Sequence, residues 1–248
     1  MADLGGRAAI VTGGSSGIGL AIARALAADG ARVAIAARGA ERLEAAAREL
    51  AGTGGEVLAV PADVTRADDV RALVGRAVER FGRLDILVNN AGVLVWKPIQ
   101  RVRESDWDAA FQANLKSAFL CIQAVLPILK KQRSGYIINI ASQTAKLPTM
   151  GLGPYSATKA GLLALGGALL DECLPYNIRV ASICPGTVDT TAQIPFTRYS
   201  KLTSADMIPP ADVAEAVRFL LRLSDRCAVP ELVLGNVPRR SREAPPTA

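Results

Sequence analysis

Tyr155 and Lys159 stand four residues apart in the stretch Pro154-Tyr-Ser-Ala-Thr-Lys-Ala-Gly161, in a chain that contains no histidine. Histidine is the usual proton carrier near neutral pH, so acid–base chemistry here needs another device. On a helix, residues i and i+4 share a face. A tyrosine hydroxyl titrates near 10 in water, too high for an efficient base at pH 7. An ammonium about 4 Å away, at an effective dielectric of about 20, contributes roughly 4 kcal/mol, or about three pH units. The pair is therefore expected to bring the phenol near neutrality and to act as acid in one direction and base in the other. Alone, the Tyr-x-x-x-Lys spacing also fits a plain helix with a buried tyrosine and a surface lysine.

Such residues need a scaffold, and the sequence alternates short apolar runs with helical patterns. Strands are predicted at Ala8–Val11, Arg32–Ala36, Glu56–Val60, Leu84–Val88, Tyr136–Ile140 and Ile178–Ile183, with a last one at Glu231–Leu234. Helices are predicted at Gly17–Ala28, Ala40–Leu50, from Arg66 to Phe81, as one long helix from about Glu104 to Lys131, at Tyr155–Leu174 and at Ala211–Leu223. Strands that are apolar throughout are buried on both faces, which implies a parallel sheet between two helical layers. The expectation is an α/β doubly wound, mostly parallel seven-stranded sheet in one domain, residues 1–237. Residues 238–248, rich in proline and arginine, are expected to be a disordered tail.

Between the first strand and first helix lies Thr12-Gly-Gly-Ser-Ser-Gly-Ile-Gly19. A glycine cluster that leaves a strand and opens a helix lets the backbone approach a pyrophosphate, and the helix N-terminus adds free N–H groups and a positive dipole end. A plain β–α turn is the alternative.

Composition removes other classes. Half the residues are apolar, enough for a sizeable core. The net charge is +6, but lysine and arginine are dispersed and aromatics are few, so no nucleic-acid partner is expected. The four cysteines are scattered without a Cys-x-x-Cys pair, and with no histidine a metal site is not expected. No uncharged apolar run of membrane-spanning length and no signal-peptide pattern is visible, so no membrane partner is expected and a cytoplasmic location is the default.

The turn spacing Thr-Gly-x-x-x-Gly-x-Gly resembles that of the short-chain dehydrogenase/reductase family. Further motifs follow in the family's order: Asp63-Val64, Asn89-Asn90-Ala91-Gly92, Asn114, Ser142, Tyr155 with Lys159, and Pro185-Gly186. The resemblance covers roughly residues 5–223. It implies that Ser142 holds the substrate oxygen near Tyr155, that Lys159 also grips the nicotinamide ribose, and that Asn114 holds a relay water at a local break in its helix. It implies cofactor contacts from Gly13, Ser15, Ser16, Gly17, Ile18 and Gly19, from Asp63 and Val64 at the adenine, from Asn90, Ala91 and Gly92 at the ribose, and from Pro185, Gly186, Val188 and Thr190 at the carboxamide. Where many members end on Asp-Gly-Gly, this chain reads Glu231-Leu-Val-Leu-Gly-Asn-Val-Pro238, which leaves the mode of assembly open.

The end of the second strand bears on cofactor choice. An acidic side chain there would hold both ribose hydroxyls of NAD and repel a 2′-phosphate. This chain has Ala37 followed by Arg38, whose guanidinium suits a phosphate, so NADPH/NADP+ is expected over NADH. The expected reaction is reversible reduction of a ketone or aldehyde to an alcohol. A reductase of 3-oxoacyl thioesters and a non-catalytic nucleotide sensor are the alternatives. Residues 191–208 are expected to form a flap over the substrate, with Ala145, Leu147, Leu152 and Ile194 giving a partly apolar pocket. Apolar residues on the long helix, and Leu162, Leu163, Leu165, Leu169 and Leu170 on the next, predict a homo-oligomer, a tetramer or else a dimer.

Overall fold

The computed structural model describes residues 4–191 and 203–237. The expected tail, Ile194 and most of the expected flap lie outside the described residues. The strands are β1 (Ala8–Thr12), β2 (Arg32–Ala37), β3 (Val57–Pro61), β4 (Ile86–Asn89), β5 (Gly135–Ile140), β6 (Ile178–Pro185) and β7 (Glu231–Leu234). The helices are α1 (Gly17–Ala28), α2 (Ala40–Ala51), α3 (Ala67–Phe81), α4 (Glu104–Phe111), α5 (Ser117–Gln132), α6 (Gly153–Cys173) and α7 (Pro210–Arg222). The strands form one sheet in the order β3-β2-β1-β4-β5-β6-β7. Every pairing is parallel, so the sheet is fully rather than mostly parallel.

Alternation along each strand divides the core. Ala9, Val11, Val33 and Ile35 face α1, α2 and α7, whereas Ala8, Ile10, Ala34 and Leu87 face α3, α5 and α6. Asp29, at the end of α1, is fully buried and paired with Arg218 of α7, which locks those two helices together. The strand order reverses between β1 and β4, and in such sheets the ligand crevice opens there, beyond the C-terminal strand ends.

The predicted single helix 104–131 is interrupted. Gln112–Lys116 forms one π-helical turn between α4 and α5. Pro127 is accommodated within α5, whose Ile122, Val125 and Leu129 pack on the sheet. The stretch Glu104–Gln132 is long and apolar enough on average to cross a membrane, yet its inner face is part of this core.

The α6 leucines that predicted an oligomer are in part covered within the single chain. Leu162 and Leu169 are buried, and Leu163, Leu165 and Leu170 are half-buried within the chain. The outward face instead carries Ala157, Ala160, Ala164, Gly167 and Ala168.

Candidate active site

The site begins at the turn after β1. Gly17 opens α1 with φ +53°, a conformation that strains any residue with a Cβ. At Gly19 a Cβ would fall 2.3 Å from the Gly13 carbonyl oxygen, so only glycine lets the helix start pack on the turn. The N-cap residue Ser16 makes no side-chain bond to the first turn, whose N–H groups remain available to an anion. Thr12 ties this turn to β4. Its hydroxyl accepts from Asn90 N and Ala91 N, both at 3.0 Å, and Asn90 Nδ2 donates back to Thr12 O at 2.9 Å.

Three chambers follow one another along the strand ends. The first, about 830 Å³, is lined by Gly13, Ser15, Ala37, Arg38, Arg42, Asp63, Val64 and Gly92, among others. The second, about 240 Å³, shares Gly13, Ser15, Ala91 and Gly92 with it and adds Ser16, Gly17, Ile18, Asn90, Tyr155, Lys159 and Thr190. The third, about 300 Å³, shares Ile18, Leu94, Ala141 and Tyr155 with the second and adds Ser142, Gln143, Thr144, Leu147, Leu152, Pro185, Gly186 and Val188. Tyr155 thus stands where the second chamber meets the third.

Three elements fix the proposed catalytic side chains: the turn after β5 holds Ser142, α6 holds Tyr155 and Lys159, and the π turn holds Asn114. Ser142, at the end of β5, caps a short turn: its Oγ accepts from Thr144 N at 3.2 Å and is bonded to Thr144 Oγ1 at 3.0 Å. The Ser142 hydroxyl is near enough to the Tyr155 hydroxyl to favour its ionised form. Lys159 is buried, not a surface residue, and its Nζ donates to Ile140 O at 2.7 Å. That Nζ lies 5.7 Å from the Tyr155 ring centroid. Asn114 sits in the π turn and is wholly buried. Its Oδ1 accepts from Val93 N at 2.7 Å, and its Nδ2 donates to Val93 O and Thr158 Oγ1. Both ends of the amide are engaged, so a relay water at this break would be held by main chain that the wider turn opens.

Electrostatics correct one expectation. Tyr155 is not brought near neutrality in the protein alone. Burial pushes its phenol above 10, against a smaller opposing effect of the Ser142 hydroxyl. Burial also lowers Lys159 to about 8. Desolvation outweighs the expected pairing because the ammonium is directed at the Ile140 carbonyl. In the first chamber Asp63 lies below the usual carboxylate range, chiefly through the Thr65 hydroxyl, with Arg38 contributing a further attraction.

The predicted residues are distributed over the three chambers. Arg38, Asp63 and Val64 line the first chamber, while Ser16, Gly17, Ile18, Asn90 and Thr190 line the second. Pro185, Gly186 and Val188, expected at the cofactor, line the third chamber, and of the residues expected in the substrate pocket Leu147 and Leu152 do so but Ala145 does not. Sequence reasoning gave no role to Thr12 within its motif and passed over Gln143, Thr158 and Asn236, whose roles lie in three-dimensional contacts. Asn236 bonds both Thr187 N and O and also Asp206 O.

Residues 7–199 match the model of the short chain dehydrogenase family. The chain belongs to that family. It is 36% identical over 221 residues to an uncharacterised oxidoreductase of Staphylococcus haemolyticus, covering 89% of this chain and 93% of the relative. It is 36% identical over 232 residues to a 3-oxoacyl-[acyl-carrier-protein] reductase of Synechocystis, covering 89% and 91%. Among solved structures, a metagenomic short-chain oxidoreductase in complex with NADP superposes with TM-score 0.81 at 34% identity, covering 94% of this chain and 98% of that one. A 3-ketoacyl-(acyl-carrier-protein) reductase from Brucella melitensis complexed with NADH gives TM-score 0.85 at 31% identity, covering 93% and 97%. This short-chain dehydrogenase is an NAD(P)-dependent oxidoreductase. The glycine cradle before α1 and the elongated first and second chambers fit the dinucleotide.

Proposed function

We propose that this enzyme uses NADPH to reduce a small ketone or aldehyde to an alcohol in the third chamber. The observation that carries this reading is the Tyr155 hydroxyl, set beside Ser142 at the junction of the cofactor and substrate chambers and held in its protonated form by burial. A bound dihydronicotinamide would supply the hydride. Ser142 donates a hydrogen bond to the carbonyl oxygen and orients it, and Tyr155 gives its proton to that oxygen as the alcohol forms. Lys159, anchored to Ile140, presents positive charge beside the phenol as its proton leaves. The run Ala37-Arg38 supports NADPH: Arg38 lines the first chamber and no carboxylate stands at the end of β2. The test is a panel of carbonyl compounds with NADPH and NADH, followed at the nicotinamide absorbance. NADPH oxidation supports the reading; tight NADPH binding without turnover on any carbonyl favours the nucleotide sensor.

A 3-oxoacyl thioester is the second reading, favoured by the relatives of that activity in Synechocystis and Brucella. An acetoacetyl thioester in the same panel separates it. The working form in this proposal is a homo-oligomer, because Trp107 on α4 and Phe119 on α5 are 41% and 45% exposed in the single chain.

A further inference from the structure

The third chamber holds a polar group that the reduction of a simple ketone does not use. Gln143 follows Ser142 directly and lines the chamber with it. Its amide has no hydrogen-bond partner among the described residues, although the main-chain oxygen of Gln143 accepts from Lys146 N and Leu147 N. The amide is nonetheless placed rather than loose. A Cβ added at Gly186 would come within 3.2 Å of its Oε1, so the side chain rests against the end of the neighbouring strand β6.

Two threonine hydroxyls of the chamber are engaged, and the Thr187 hydroxyl, which also lines it, is the other polar side-chain group beside the Gln143 amide. Thr144 Oγ1 is bonded to Ser142 Oγ, and Thr149 Oγ1 donates to Leu147 O. Among the described residues no charged side chain lines the chamber, and Ile18, Leu94, Leu147, Leu152 and Val188 make much of its wall apolar. Among the described residues, a carboxylate or phosphate on the substrate would find no counter-charge there. A neutral oxygen would find a free amide, which both donates and accepts and so reads a carbonyl or a hydroxyl. The volume, about 300 Å³, is at the lower end for small-molecule sites, so it suits a compact group around the reacting carbonyl.

We infer that Gln143 is a specificity-determining residue, and that the substrate is an uncharged carbonyl compound, compact around the reacting carbonyl, with a second oxygen function within a carbon or two of it. The inference rests on the reductase reading above. Ser142 and Tyr155 take the reacting oxygen, and the neighbouring Gln143 amide takes the second one. With both oxygens held, the carbonyl presents one face to the cofactor chamber, so Gln143 also biases the handedness of the alcohol.

The test compares wild type with Gln143→Met, which keeps length and removes both hydrogen-bonding atoms. The substrates are butanone, acetoin and ethyl acetoacetate, with NADPH saturating. One neutral hydrogen bond contributes up to about tenfold in kcat/KM. We expect Gln143→Met to lose about tenfold more on acetoin or on ethyl acetoacetate than on butanone, mainly through KM. A second readout avoids turnover: in a Tyr155→Phe background with NADP+ bound, calorimetry should show acetoin bound more weakly once Gln143 is Met. Equal losses on all three substrates, or no weakening of acetoin binding, would overturn the assignment while leaving the reductase reading intact. Failure of the wild type to reduce any carbonyl in a broad panel would instead remove the reductase reading and this inference with it.

Discussion

Lys159 is a buried cation that function requires and folding opposes, and that conflict is measurable. Burial lowers its pKa from 10.5 to about 8. That difference corresponds to about 3 kcal/mol of destabilisation when the native lysine is charged. Replacing it with methionine removes this cost. It also leaves the Ile140 carbonyl without its donor, which costs about 1–3 kcal/mol. At pH 7 the two nearly cancel, so Lys159→Met should lose turnover yet fold with stability between that of wild type and about 2 kcal/mol above it.

The pH dependence is sharper than the value at pH 7. Between about 8 and 10.5 the native lysine has lost its proton while the unfolded one keeps it. The unfolded state then binds more protons, so wild-type stability rises with pH across this window. The methionine variant has no such rise. Its advantage over wild type should therefore shrink by about 3 kcal/mol between pH 7 and 10.5, or roughly 6–12 °C in Tm for a chain of this size. Cys184, the one neighbour that acts on the Lys159 charge, is pushed up to about 11 by burial and stays neutral over most of the window. The assay is thermal and urea unfolding of both proteins without cofactor, from pH 7 to 10.5. A difference that stays flat with pH would show that water reaches Lys159, and the argument from burial would fail.

Tyr155→Phe should lower kcat at least about 100-fold with NADPH affinity little changed; steady-state kinetics and a binding titration check it, and near-normal turnover would remove Tyr155 from the mechanism. Wild type should prefer NADPH over NADH by about 10- to 100-fold in kcat/KM, equal to roughly 1.4–2.8 kcal/mol, and Ala37→Asp with Arg38→Leu should reverse the order. Equal use of both cofactors by wild type would reduce Arg38 to a surface charge. Light scattering at micromolar concentration should give a multiple of the single-chain mass, and Phe119→Asp should lower it; a wild-type monomer rules out the oligomer.

Most of the fold was legible because its strands are apolar on both faces and its helices carry one apolar stripe each. The glycine turn was legible because its spacing sits between a strand and a helix. The π turn was not visible in periodicity: apolar residues from Trp107 to Leu129 run through it, and only the family resemblance pointed to Asn114. How far the α6 leucines are covered within one chain was not legible, because a count of leucines carries no information on how deeply the helix sinks into the sheet. Arg42, in the first chamber four residues after Arg38, was not singled out, since its place on the chamber wall depends on the pitch of α2. Gln143 was overlooked for the same kind of reason: a free amide is recognised by the partners it lacks.

The largest miss was the Tyr155 pKa, and it leads to a last prediction. Four-residue spacing gives the attraction between phenol and ammonium but not the cost of taking both out of water. In the folded chain the second effect is larger for each group, and both shift toward their neutral forms. A neutral phenol is the proton-donating form, so the protein alone is set for reduction; alcohol oxidation needs the phenol to ionise first. An ultraviolet difference titration of the cofactor-free protein, wild type against Tyr155→Phe, follows this one group through the absorbance of its phenolate. We expect no signal belonging to Tyr155 below pH 10. A midpoint near 7 or 8 would mean that the ammonium overcomes burial, and the proton would then be absent from the donor at the pH where reduction must run.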